Sequence, residues 1–536
     1  MVEEREVVVL GAGVAGIYAI KRLSDAGVDA LVLEADDDVG GTWYRNRYPG
    51  ARFDSESYTY GYSWSRDLLD EWHWKERFSG QPENLRYLRH VVDRFELRRF
   101  MRFGAKVDAM VWDEATRRWR IQLSGGEEVR ARFVVTGVGL LSVPTLPRID
   151  GMDTFEGPAH HTYNWPGADL DLTGRRVGVI GTGATGIQVI AAIAEQVAEL
   201  HVFQRRPNWS APLNNSPIDD SEMADIRARY DEIFANCAAT ATGFEHRPDR
   251  RGFWAVTAAE RRALWDELYD GPGFGILVGN FPEIFWDEAA NAEFSAYIAE
   301  RIRGRVDDPL IAEKLIPTDH GFGVQRVPLE THYFEAYNRD HVHLVDLSET
   351  PIERVTPSGI ETTAGQVDLD VIVYATGFDA VTGAFDRIDI AGVGGRRLRD
   401  HWADGPATYL GLAAHGFPNL LMIAGPQSSS ASSNFPRSIE TIVDWIVDLL
   451  DHARADGVGR IEATGPAEAE WVAHVAALYE TTMIHQAKGW FTGYNSNVAG
   501  HEAGRVRHVV YNGGAVRYAK RLGEVAAAGY DGFDLE

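Results

Sequence analysis

The apolar positions near the start of the chain are continuous rather than alternating: Val7–Leu10, then a glycine-rich turn, an apolar stretch through Leu23, and a second apolar run, Ala30–Leu33. Unbroken apolar strands are what a parallel sheet covered on both faces requires, and a helix-length segment between two of them reads as a βαβ unit. The same order returns in RRVGVIGTGATGIQVI (175–190) and LHVFQRRP (200–207). Two more apolar strands ending in Thr-Gly, RFVVTGVG around Gly137 and DVIVYATGFD around Gly377, flank that second unit like brackets, so it reads as an insertion into the domain begun by the first. From about Pro217 to Leu329 β patterning gives way to charged stretches such as DDSEMADIRARYDEIF and TAAERRALWDELYD, which predict a helical insert. In SIETIVDWIVDLLDHA, Ile439, Ile442, Val443, Ile446, Val447 and Leu450 fall on one helical face and predict an amphipathic helix over the first domain.

Composition narrows what such a chain can do. Its 536 residues, 45% hydrophobic and 25% charged, exceed what one core accommodates, so two or three packed domains are expected. A net charge of −26 argues against nucleic acid or anionic membrane as a partner. The start MVEEREVVVL lacks the basic opening of a signal peptide, and the uncharged run Val7–Ile20 is shorter than the roughly 20 residues needed to span a bilayer. A cytoplasmic protein is expected. The single cysteine, Cys237, forbids an internal disulfide, a redox dithiol and any all-cysteine metal site. The 15 Trp and 20 Tyr suit ring-lined cofactor sites, although aromatics serve as core more often.

The two glycine turns carry the first chemistry. Gly11, Gly13 and Gly16 form GxGxxG between strand and helix, and Glu34 ends the second strand. Glycines there allow a tight turn, close approach of backbone to a pyrophosphate and close helix packing, and the acid can bond a ribose diol. The second turn repeats the pattern at Gly181, Thr182, Gly183 and Gly186, but where the first has an acid it has Gln204 followed by Arg205 and Arg206. Without the acid a 2′-phosphate is not repelled, and paired guanidinium groups can chelate it. FAD is therefore assigned to the first turn and NADPH to the second. The fold class is α/β with two Rossmann-like dinucleotide-binding domains, the NADP domain inserted in the FAD domain and carrying a helical insert. The expected division is 1–142 and 379–536 for the FAD domain, 143–216 and 330–378 for the NADP domain, and 217–329 for the insert.

Two further motifs select among such proteins. GGTWYRNRYPGARFD, Gly40 to Asp54, follows the first unit, and FEGPAHHTYNWP, Phe155 to Pro166, precedes the second with Phe155, Gly157, His161 and Trp165 in the pattern FxGxxxHxxxWP. Together, at these places relative to two nucleotide turns, they resemble the paired fingerprints of type I Baeyer–Villiger monooxygenases, a resemblance that covers nearly the whole chain. It implies that NADPH reduces FAD, that O2 forms a C4a-peroxyflavin which attacks a ketone, and that the Criegee adduct rearranges to an ester or lactone. Arg326 is the implied catalytic arginine, stabilising peroxide and oxyanion charge, with Asp54 holding it. Thr42, Trp43 and Tyr60 are implied near the flavin, Val107 near its adenine and Phe435 beside the cofactor. Gln188, Gln325 and Trp490 are implied at the coenzyme, Trp490 on a mobile loop. The loop Gly425–Asn434 matches a substrate-lining loop whose serines suggest a roomy pocket. His161 reads as a structural histidine between domains.

One departure bears on coenzyme choice: relatives commonly carry Lys before the catalytic arginine, and here it is Gln325, with Arg206 as a compensating charge where relatives often have Thr. Relaxed coenzyme preference follows as an expectation. Two alternatives stand beside the main reading. One is a flavin-containing monooxygenase oxygenating N or S of amines or sulfides; the other is a nucleotide-binding regulatory protein without oxygen chemistry. No metal is expected in the chemistry, the partners are a small ketone and O2, and the oligomeric state is open, a monomer being compatible with the sequence.

Overall fold

The computed structural model describes residues 2–167, 170–501 and 505–536. The first βαβ unit forms as expected. Strand Glu3–Leu10 pairs in parallel with Ala30–Leu33 on one side and with Glu128–Thr136 on the other, and helix Val14–Asp25 makes the crossover. The sheet grows to eight strands, taking in the antiparallel meander of Val107–Asp113, Arg118–Leu123 and Glu128–Thr136. After Thr136 the chain leaves this sheet and returns only with Asp389–Ala391 and Leu420–Met422. Between them lies a second, wholly parallel sheet, in the order Val342–Asp346, Glu199–Gln204, Arg176–Ile180, Val371–Tyr374, Ala159–His161.

The two Thr-Gly strands are not a matched pair around the second unit. Glu128–Thr136 belongs to the first sheet and Val371–Tyr374 to the second, each lying beside the strand that leads into its own glycine turn. The likeness has a steric origin. A Cβ on Gly11 would stand 2.7 Å from the carbonyl oxygen of Gly137, and one on Gly181 would stand 2.5 Å from that of Ala375. Each Thr-Gly strand is thus the lid against which its own turn is pressed.

Helix Phe435–Ala455 covers the first sheet's helix as its pattern predicted: Ile439, Ile442, Val443, Ile446, Val447 and Leu450 are all buried. Tyr18 and Arg22 of the facing helix both donate to Asp444, at 2.8 and 2.6 Å. The residues between 217 and 329 are helical, with Asp219, Thr257, Asp287 and Asp308 accepting bonds from the first-turn amides of their helices. They do not form a body of their own. Met223, Ile226, Tyr230 and Ile233 join the core of the first domain, whereas Phe253, Trp265, Phe281 and Phe294 join that of the second. The parallel pair Ala211–Pro212 and Leu329–Glu330 ties the two ends of this segment together. Among the described residues no helix is long and apolar enough to cross a membrane.

Candidate functional site with two nucleotide cavities

The two glycine turns have nearly the same backbone. Gly11 and Gly181 have φ of 95° and 108°, and the helix-capping Gly13 and Gly183 have φ of −80° and −78°. In each turn the third glycine is required by packing, since a Cβ on Gly16 would lie 1.8 Å from the Gly11 oxygen and one on Gly186 would lie 2.2 Å from that of Gly181. The middle glycine is different. A Cβ on Gly183 would meet nothing within 4 Å, and one on Gly13 would touch only Gly41. The backbone at these two positions therefore faces open space at a helix N-terminus, which is the geometry a pyrophosphate needs.

A cavity of about 380 Å³ opens at the first turn, lined by Gly11, Gly13, Glu34, Thr42, Tyr60, Val107 and Phe435 among others. Glu34 is buried, and its oxygens accept from the amides of Ala12 and Asp36 at 2.6 and 2.8 Å. Burial raises its pKa above the usual carboxylate value, although those amides oppose the shift. Trp43 stands one layer back, its indole donating to the Tyr60 hydroxyl at 2.9 Å, while Tyr60 stacks on Phe53 with ring centres 4.4 Å apart. The cradle, the strand-end acid and the ring-lined walls fit an adenine dinucleotide carrying a flavin.

A larger cavity, about 540 Å³, opens at the second turn. Gly181, Thr182, Gly183, Arg205, Arg206, Gln325, Arg326 and Trp490 are among its lining residues. Arg206 is partly balanced by Asp319 at 3.4 Å, and its Nη2 donates to the Lys488 oxygen at 3.1 Å. Arg205 bonds Ser496 but has no carboxylate partner among the described residues. Burial first, and then the neighbouring Arg206, lower its pKa. A guanidinium without a carboxylate counter-ion at the wall of the cavity favours arrival of an anion, which suits a coenzyme with an added phosphate.

An ion pair stands at the second cavity, its acid next in sequence to Phe53, whose ring stacks on Tyr60 of the first. Asp54, 5% exposed, accepts from Arg326 Nη2 at 2.7 Å and from the amide of Leu329 at 3.2 Å. Its other oxygen is buried with no partner. The Arg326 guanidinium also donates to the Val327 oxygen and lies 5.4 Å from the centre of the Phe274 ring, and the side chain remains about one-third exposed. The acid comes from the end of the first fingerprint and the arginine from the segment leaving the helical residues, so the contact spans 272 positions of sequence.

Most of the expected site residues line these two cavities or form the ion pair at the second. Gln188 does not face the second cavity. Its amide accepts from Tyr48 at 2.9 Å and donates to the Arg52 oxygen at 3.0 Å, so its hydrogen bonds fasten the first fingerprint to the second helix. The first three serines of the 425–434 loop do not make room for a ligand either. Ser428, Ser429 and Ser430 are buried, and the last two share Ser438 at 2.9 and 3.0 Å, packed against the start of helix Phe435–Ala455. Sequence reasoning passed over Arg45, which pairs with Asp36 and lies 5.5 Å from the Tyr163 ring centre at the first cavity. Its place inside the fingerprint was an available signal. Phe274, against Arg326, gave none.

His161 ties together two strand ends of the second sheet rather than the two domains. Its Nε2 donates to the Gly377 oxygen and its Nδ1 accepts from the Tyr163 amide, both at 3.1 Å, which fixes a neutral ring. Burial pushes its pKa down to about 4.

Two glycine-turn nucleotide cavities, the second bordered by a carboxylate–guanidinium pair, define a two-dinucleotide flavoprotein. Residues 8–246 match the family model described as pyridine nucleotide-disulphide oxidoreductase. That name's dithiol chemistry is ruled out by the lone cysteine, which is itself buried with its pKa pushed up to about 12. Among curated relatives, the chain is 42% identical to an acetone monooxygenase (methyl acetate-forming) from Gordonia sp. (strain TY-5), over 99% of each chain. It is 39% identical to the phenazine N-monooxygenase PhzNO1 of Lysobacter antibioticus, over 99% of this chain and 97% of that one. The solved structure of OTEMO in complex with FAD and NADP superposes with a TM-score of 0.96, at 43% identity over all of both chains. The chain belongs to the Baeyer–Villiger monooxygenase family of flavoproteins.

Two outcomes follow from this geometry. Gly183→Ala leaves the stability of the cofactor-free protein within about 0.5 kcal/mol but weakens NADP binding, whereas Gly186→Ala costs about 1–3 kcal/mol or more through overpacking; thermal melts and coenzyme titration separate the two. If both variants melt alike, the distinction drawn between the glycines is wrong. For His161, the folded pKa of about 4 lies below the ordinary 6.5, so the unfolded chain takes up the proton first as pH falls. Its contribution is intact above about 6.5 and lost between there and about 4, up to roughly 3 kcal/mol. His161→Gln, which can still donate to Gly377, should therefore melt with a shallower pH dependence across that window. Parallel slopes for the two proteins would contradict this.

Proposed function

We infer that this chain uses NADPH and O2 to convert a ketone to an ester or lactone. The observation that carries the reading is the pairing of Asp54 with Arg326 at the second nucleotide cavity. When bound, FAD supplies the ring that accepts hydride from NADPH and activates O2. The protein's task is then electrostatic. Arg326 holds negative charge on the attacking oxygen and afterwards on the carbonyl oxygen as that carbon becomes tetrahedral, and a fixed guanidinium does this best where water is excluded. Asp54 acts as the positioning residue, its buried carboxylate limiting the arginine to one orientation.

Gly11, Gly13, Gly16, Glu34, Thr42, Trp43, Tyr60, Val107 and Phe435 are assigned to FAD, and Gly181, Thr182, Gly183, Gly186, Arg205, Arg206, Gln325 and Trp490 to NADPH. Support comes from the cavities most of these residues line. Arg205 supports NADPH over NADH, and Gln325 in place of a cation narrows the margin. Gln188 is assigned to fastening the first fingerprint. The same proposal places the enzyme in the cytoplasm, where NADPH is regenerated, with the domain boundaries given above.

Oxygenation of nitrogen has support in the phenazine N-monooxygenase among the relatives. Attack by a soft nitrogen needs an electrophilic, protonated oxygen, whereas a fixed guanidinium favours an anionic one, so the ion pair favours the ketone. Arg326→Ala is expected to accept hydride from NADPH and bind FAD normally, yet to form ester about 10²–10³-fold more slowly. Product mass and anaerobic flavin bleaching read these separately. Undiminished ester formation by the variant, or turnover of aromatic amines alone by the native enzyme, would overturn the assignment.

A further inference from the structure

The parallel sheet that presents Arg205 and Arg206 at the carboxyl end of strand Glu199–Gln204 carries a different group of side chains at the amino end. Glu199 and His201 are two residues apart on this strand and so share one face. In the neighbouring edge strand, Val342–Asp346, His343 stands directly across from His201. One ligand atom from each of the three lies within 4.8 Å of the others, and no other such trio of His, Cys, Asp or Glu is found among the described residues. His201 Nε2 and Glu199 Oε2 are 3.1 Å apart, and the two imidazole rings are 4.8 Å apart with their planes inclined by 33°. Glu199 and His343 are exposed and His201 is half-buried, so an ion can enter from water.

We propose that Glu199, His201 and His343 form a binding site for a divalent transition metal, with Zn2+ as the reference ion, remote from the oxygenation site. Two imidazole nitrogens and one carboxylate oxygen suit Zn2+, Ni2+ or Cu2+ and suit the oxygen-seeking Mg2+ or Ca2+ poorly. Three protein ligands leave the remaining positions to water. The surrounding charge is permissive. His343 borders a shallow surface hollow of about 420 Å³ that is also lined by Asp307, Asp308 and Asp340. Arg339, in the same hollow, is paired with Glu195 at 2.5 Å. Arg176, whose charge acts on His201, is paired with Asp370 at 2.8 Å and Asp368 at 3.8 Å. A bound ion would staple the edge strand to its neighbour, and since the three ligands meet only in the folded chain, binding stabilises the fold by mass action.

The test uses untagged, FAD-loaded protein stripped of metal with a chelator and titrated with Zn2+ by calorimetry and by thermal melting. Both His343→Ala and Glu199→Ala change exposed side chains and leave His201 in place. The native protein is expected to bind one Zn2+ that raises its Tm. Each variant should bind that ion at least about tenfold more weakly, the lower bound for losing even a group that only orients a ligand, with the Tm rise reduced accordingly. Coenzyme-dependent activity should be the same in all three proteins without metal. Zn2+ binding and Tm response that are identical in native protein and both variants, or no saturable binding by the native protein, would overturn the proposal.

Discussion

The Asp54–Arg326 contact is the constraint on which the arrangement of this molecule turns. A carboxylate at 5% exposure cannot remain ionised at low cost without a cation and hydrogen-bond donors, and Arg326 and the Leu329 amide supply both. Because Leu329 opens the short strand that closes the helical segment, the same acid fixes that segment's exit. One buried charge therefore sets the position of the arginine and the path of the chain that delivers it.

Around that pair the fold repeats one solution twice. Each nucleotide turn is a glycine pressed against a Thr-Gly strand, a second glycine open to the cavity and a third allowing the helix to touch the turn. The domains are then fastened at independent points: Gln188 with Tyr48 and Arg52, and the helical residues shared between both cores. The Gln188 bonds are between neutral groups. This leaves the strong electrostatics for the site, where the arginine has to respond to charge that develops during reaction.

Much of this was legible in the sequence because it is local. Glycine spacing, unbroken apolar strands and the 435–455 stripe are short-range patterns with few physical solutions, and the fingerprints carried the family resemblance. The ion pair itself was reached through that resemblance, since spacing alone does not relate position 54 to position 326. Most of what escaped was set by long-range packing. Whether Gln188 faces the coenzyme or Tyr48, 140 positions away, and which core receives Met223 rather than Phe253 depend on distant neighbours. Ser429 and Ser430 fill space through Ser438, only nine and eight positions on, with no pattern to announce it. Phe274 against Arg326 is of the same kind, an aromatic with no local pattern to mark it. The matching Thr-Gly strands were visible, but their likeness reflected equivalent places in two sheets rather than two edges of one insertion.

The central claim is that Asp54 and Arg326 act as a unit, and a double-mutant cycle on kcat/KM for ketone oxygenation tests it most directly, using Asp54→Asn, Arg326→Lys and the pair together. The account predicts that the second substitution adds little to the first, with a coupling of about 1 kcal/mol or more. Losses that simply multiply would mean that the two residues contribute independently, and the carboxylate would no longer be the reason the arginine is in place.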